Sequence, residues 1–219
     1  MLAARSQQLA PRVAASRVTW DATGAGGGAV SGVSSSTVNW SHTIAGNAVI
    51  AATGQWGNSA SPTVSALVGS TPMTLLGSVL AYFSSSGNFA SLWLYGLLNP
   101  PTGSQTITFN SSAAGSGGGV YGNSVSYNNV SAFGAAVTNT GFGATPTLTM
   151  AGITEEWLTM VIGSWINTLS SFNKTSRYNH VWDSSHLAHL IGDTPGASSV
   201  TFTCSETSSP WAAVGVGLI

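Results

Sequence analysis

Charge is what this chain has least of. Five basic and six acidic side chains among 219 residues make up 5%, against roughly 25% in an ordinary soluble domain. The scarcity of cations excludes nucleic acid as a partner, because a DNA or RNA binder needs clustered Lys and Arg to displace counterions. Lys174 is the single lysine. Cysteine is nearly absent too. A lone Cys204 rules out an internal disulfide framework and any multi-cysteine zinc site. Alternation with Val200 and Phe202 makes it a packed thiol on an apolar strand face. No stretch reaches the ~18 apolar residues of a membrane helix, so no membrane insertion is expected. The opening MLAARSQQLAPRVAASR lacks the continuous apolar region of a secretory signal.

Disorder does not explain the missing charge, since 43% of residues are hydrophobic and eight are tryptophan. Polarity comes from Ser, Thr, Asn and 27 Gly. With a net charge of -1, neighbouring molecules repel one another weakly. Such a surface suits contact with other protein or with glycan.

From residue 17 onward the hydrophobic period is two. In RVTWDA, Val18 and Trp20 share a face. Val38, Trp40, His42 and Ile44 share one in STVNWSHTI, which makes His42 a satisfied core histidine. Ile107 and Phe109, and Val125 and Tyr127, point inward in the same way. Clusters of Gly, Pro, Asn and Ser punctuate these runs about every ten residues, with no convincing helix between them. The pattern predicts an all-β protein, an antiparallel β-sandwich of jelly-roll type. No internal repeat of fixed period is evident. The simplest organisation is an N-terminal arm over 1–16 and one sandwich domain over 17–219. GAGGGAV and AAGSGGG read as mobile loops.

Three runs are apolar on both faces: SLWLYGLL (Leu92 and Leu94 opposite Trp93, Tyr95 and Leu97), EEWLTMVIGSWI (Leu158, Met160 and Ile162 opposite Trp157, Val161 and Trp165) and the closing WAAVGVGLI. Strands covered on both sides give such runs. In a two-layer sandwich the outer side of 92–97 and 157–165 must meet a loop, the arm or another subunit.

Chemistry is sparse. A glycosidase needs two carboxylates ~5 to 10 Å apart, and Glu155 and Glu156 are adjacent, so on a strand they point to opposite faces. The other acids, Asp21, Asp183, Asp193 and Glu206, are scattered. There is no G-x-S-x-G elbow, and GAGGGAV lacks the Lys-Ser/Thr ending and following helix of a phosphate loop. The one local cluster is HVWDSSHLAHL. A metal site there would draw on Asp183, His186 and His189, but a spacing of three puts strand neighbours on opposite faces. The expectation is no metal, no cofactor and no catalytic residue. Trp56, in the turn-rich GQWGNSASP, is the candidate for an exposed platform against a sugar ring.

The succession WDATGAGGGAV, VNWSHTI, TPMTLLGS, SLWLYGLLNPPTGSQTITF, SVSYNNVS, NKTSRYNHVWDSS and DTPGASSVTFTCSETSSPWAAVGVGL resembles β-sandwich virion proteins of tailed phages infecting actinobacteria, of the minor tail protein type. The resemblance covers nearly the whole chain after residue 17. It implies a noncatalytic particle component, located in the virion, with other virion proteins as partners, a homo-oligomeric state and contact with a host-surface glycan. In that setting Arg5, Arg12 and Arg17 of the arm would pair with acidic groups on neighbouring subunits. The alternatives are a capsid decoration protein and a carbohydrate-binding module.

Overall fold

The computed structural model describes residues 17–29, 37–57, 62–83, 88–112, 119–151, 157–164, 168–183 and 187–219; the expected arm lies outside them. Among the described residues there is no helix, and the predicted period of two is realised throughout. The chain begins along a sheet edge with β1 (Thr19–Thr23) and β2 (Gly27–Ala29), then crosses to an outer sheet as β3 (Thr37–Ile44) and returns as β4 (Ala48–Gly57). Strands β5 (Val64–Val68) and β6 (Thr71–Pro72) lie outside again, and β7 (Thr74–Phe83) and β8 (Asn88–Leu98) pair in the inner sheet. β9 (Gly103–Ser111) goes out and β10 (Gly119–Asn128) comes back. The second half follows with β11 (Val137–Gly143), β12 (Thr147–Met150), β13 (Trp157–Ser164), β14 (Thr175–Asp183), β15 (Leu187–Pro195), β16 (Val200–Thr203) and β17 (Ser209–Leu218).

The two halves repeat one topology. The first inner sheet runs β1-β10-β4-β8-β7, with β2 sharing the β1 edge of β10; the second runs β11-β17-β13-β15-β14. Position by position these orders correspond. The outer sheets, β3-β9-β5-β6 and β12-β16, correspond as well. Register agrees: Trp40 lies opposite Ile107 and Val38 opposite Phe109, as Met150 lies opposite Val200 and Leu148 opposite Phe202. The sequence shows no fixed period because the intervening turns differ in length. Only short echoes survive, such as Ile107-Thr108-Phe109 and Val200-Thr201-Phe202.

The four sheets stack in the order outer, inner, inner, outer, with a core in each gap. Trp40, Phe109, Val49, Trp93 and Tyr95 fill the first gap. Ile50, Leu94, Tyr127, Val161, Val214 and Leu218 fill the central one. Met150, Ile162, Leu190, Phe202 and Trp211 fill the third. Each large apolar side chain so buried contributes about 1.5 to 3 kcal/mol. An outer strand with one face in water alternates cleanly, as β3 does; β10 and β17 are buried along nearly their whole length.

This layering answers the question of the doubly apolar runs. They are β8, β13 and β17, all in the inner sheets, and their second face is covered by the protein's own next layer. Leu92 and Leu94 enter the central core while Trp93 and Tyr95 enter the first. The expectation that the outer side of 92–97 and 157–165 meets a loop, the arm or another subunit is therefore corrected: among the described residues a further sheet of the same chain covers it. The side chains of Trp157 and Leu158, and all of Trp165, lie outside the described residues. GAGGGAV is corrected too: Gly27–Ala29 is a strand, paired with β10.

Candidate functional site

The most ordered polar chemistry lies between β1, β3 and β10. Trp40 Nε1 donates to Ser124 Oγ at 2.8 Å, and the same oxygen lies 2.7 Å from His42 Nδ1. On the other side of the imidazole, Nε2 is 3.1 Å from Ser126 Oγ, which donates to Asp21 Oδ2 at 2.7 Å. Asp21 also accepts the backbone amides of Ala45 (2.9 Å) and Gly46 (2.8 Å). Burial acts to raise the Asp21 pKa, but the bonds from Ser126 and the two amides together outweigh it and lower it. Burial pushes His42 down to about 4, with Asp21 opposing only in part. The residue types are those of a Ser-His-Asp hydrolase. The arrangement differs, because Ser124, Ser126 and His42 are all buried between two sheets and a nucleophile must meet its substrate. The network ties β3 to β10 and locks the turn after β3.

A second network joins the two halves. Arg177 Nε reaches Asp193 Oδ2 at 2.7 Å, and the carboxylate is fully buried. Tyr127, from the first half, donates its hydroxyl to the same oxygen at 3.0 Å and lies 3.2 Å from Thr159 Oγ1. Burial, then the charge of Asp193, raises the Tyr127 pKa well above its ordinary value. The Arg177 guanidinium stands 4.7 Å from the ring centroid of Trp20, the one exposed indole among the described residues at 40%. Farther along β14, the Tyr178 and Trp182 rings lie over the Gly-rich β2 edge. A Cβ at Gly28 would come within 2.5 Å of the Trp182 ring. These residues close one flank of the central core.

The residues singled out in sequence fall as follows. Arg5 and Arg12 lie outside the described residues; Arg17 is exposed and its carbonyl accepts Asn129 Nδ2 at 3.0 Å. Trp56 does not stand free in a turn. It sits within β4, half-buried against the central core, because β4 runs on to Gly57, three residues past the Gly54 that opens the turn-rich GQWGNSASP. His186 is outside the described residues, as is the Asp183 side chain. His189 points into the central core, with Tyr121 (5.2 Å between centroids) and Tyr178 (5.8 Å) edge-on to it. Burial, reinforced by His180 across the β14–β15 pair, pushes its pKa down to about 3. Among the described residues no three His, Cys, Asp or Glu side chains come together as a metal site. Cys204 is a buried free thiol in the third core, raised to about 12 by burial and then by Glu206. Trp20 and Arg177 were not foreseen as a pair, since 157 residues of sequence separate them.

The opposite flank has a different character. There the edge strands β7 and β11 lie side by side, so close that a Cβ at Gly77 would meet that of Ala136 at 2.5 Å. Three of the five exposed large hydrophobics among the described residues belong to them: Leu75 (47%), Leu80 (44%) and Phe142 (75%). No Asp, Glu, Lys or Arg occurs between Asp21 and Glu155. Everything from β2 through β12 thus carries no formal charge, this flank included. His42, the one histidine in that span, is buried and held neutral.

No known protein family, curated protein or solved structure matches the chain. Its fold defines it as an all-β protein of stacked antiparallel sheets.

Proposed function

We propose that this chain is a noncatalytic structural protein of a tailed-phage particle, placed in the tail and held there by protein–protein contact. One observation carries the reading: the uncharged span from β2 through β12, which ends in an apolar, uncharged flank on a body rigidified by three cores. Isolated soluble proteins keep apart through charge and guard their strand edges with it. A subunit that spends its life against neighbours needs neither. The described acidic side chains support the same view, because Asp21, Asp193 and Glu206 are each engaged in internal hydrogen bonds. The resemblance noted in the sequence supplies the particle. Quantitative mass spectrometry of purified particles, with labelled-antibody microscopy, tests it. A few to tens of copies at the tail is the expected result; hundreds would make it a capsid decoration protein, and absence from particles would sink the proposal. Removing residues 1–16 tests the arm: loss of incorporation with the fold retained is expected.

A second reading, contact with a host glycan, is favoured by Trp20 in place of Trp56. Its ring is accessible and backed by a fixed cation, the kind of platform on which a sugar stacks. A glycan array with wild type and Trp20→Ala decides it; binding that survives the substitution removes Trp20 from the account.

A further inference from the structure

The β7 edge joins three properties that native edges seldom combine. It is long, running Thr74–Phe83. It is unpaired on its outer side among the described residues, since β7 ends the first inner sheet. It also carries no charged side chain, and its one irregularity, a bulge between Leu75 and Gly77, affects only its start. Lysines, prolines, inward charges and bulges are the usual means of preventing edge-to-edge pairing. From Gly77 onward β7 has none of them.

We infer that β7 is a strand-pairing surface for a second copy of this chain. An unpaired edge presents alternating N–H and C=O groups, and the ligand that satisfies them is another extended strand. Charge selects which one. A two-fold contact sets each patch against itself, so any like-charged residue at its centre meets its own copy. A surface with no charge is complementary to itself without further adjustment, whereas a charged partner would find nothing here to recognise. The β7 strands of two copies, antiparallel about the centre of the regular segment, continue the first inner sheets into one. Leu80 of each copy then lies beside its counterpart on one face. On the adjoining edge Phe142 adds apolar surface to the joint. The opposite flank differs, because its edge strand β14 carries Arg177 and Asp183 and two register irregularities. The inference stands apart from the virion proposal: a protein absent from particles could still dimerise this way, and one present in them could fail to.

Sedimentation velocity of the full chain across a concentration series is the test. A reversible dimer is expected, its share rising with concentration, and Leu80→Lys should weaken it at least tenfold with an unchanged far-UV spectrum. Leu80→Cys should give a covalent dimer under mild oxidation. Hydrogen exchange on the wild type supplies a readout that needs no variant: the β7 amides should gain protection as concentration rises, while those of the opposite edge, β14, should not. A wild type monomeric throughout the series, a dimer indifferent to Leu80→Lys, or concentration-dependent protection confined to another strand would each overturn the inference.

Discussion

Ser124 Oγ stands 2.7 Å from His42 Nδ1 and donates to it when the imidazole is neutral. The same oxygen already accepts the Trp40 indole, which can only donate. Ser126 spends its one proton on Asp21 and so accepts from His42 Nε2–H, which leaves Nδ1 of the neutral ring as the acceptor. Burial keeps the ring neutral, and with a neutral imidazole every hydroxyl in the row has one direction.

Acid should unravel this arrangement before it affects the carboxylates. His42 and His189 have folded pKa values of about 4 and about 3, below the ordinary 6.5. As pH falls, the unfolded chain takes up these two protons first. The stability due to neutral histidines is complete above about 6.5 and drains away toward the folded values, by up to about 1.4 kcal/mol per pH unit for each. Urea unfolding at pH 7.5, 6.5, 5.5 and 4.5 measures the slope. His189→Phe should halve it, and should not destabilise the protein at pH 7.5, because neither ring nitrogen of His189 has a hydrogen-bond partner among the described residues.

Breaking the bridge between the halves should be costly in one direction only. Arg177→Met leaves the buried Asp193 carboxylate without its cation, which costs about 3 kcal/mol. Adding Asp193→Asn removes the stranded charge and should recover more than half of that. A double-mutant cycle by denaturant melts checks the coupling; additive effects would show that the two side chains act independently.

Two glycines should fail for different reasons. At Gly54 an added methyl would run into the ring and hydroxyl of Tyr121, which is fully buried, so Gly54→Ala should cost about 2 to 3 kcal/mol as overpacking. Gly103 has open space around its Cβ position but a φ of +85°, so Gly103→Ala should cost about 1 kcal/mol from backbone strain. Shortening Tyr121 to Leu should rescue the first and leave the second unchanged, as thermal melts would report.

The thiol of Cys204 should be silent until the protein opens. Buried and raised to about 12, it offers almost no thiolate at neutral pH. Its labelling rate should track global unfolding across a denaturant series. Rapid labelling in buffer would mean that the third core opens locally.

Single strands were legible in sequence wherever one face meets water. Val38, Trp40, His42 and Ile44 alternate because the outer sheet is half-wet, and Val200, Phe202 and Cys204 follow the same rule. The doubly apolar runs correctly signalled two-sided cover, although nothing local tells whether that cover comes from the same chain. What escaped depends on distance along the chain. Trp40 finds Ser124 across 84 residues, and Arg177 finds Trp20 from the other half. Trp20 and Trp56 show the limit well: both lie on strands, and only their positions at the edge or the middle of a sheet decide which is exposed. The Gly-rich run before β3 reads as a loop by composition, yet its missing side chains make room for Tyr178 and Trp182.

The repeated strand order has one more consequence. The central core is, in effect, a dimer interface between two similar sandwiches, written into one polypeptide. Tethering turns their meeting from a second-order event into a first-order one, so dilution cannot part them. Any dependence of this protein's size on concentration must therefore come from its outer edges.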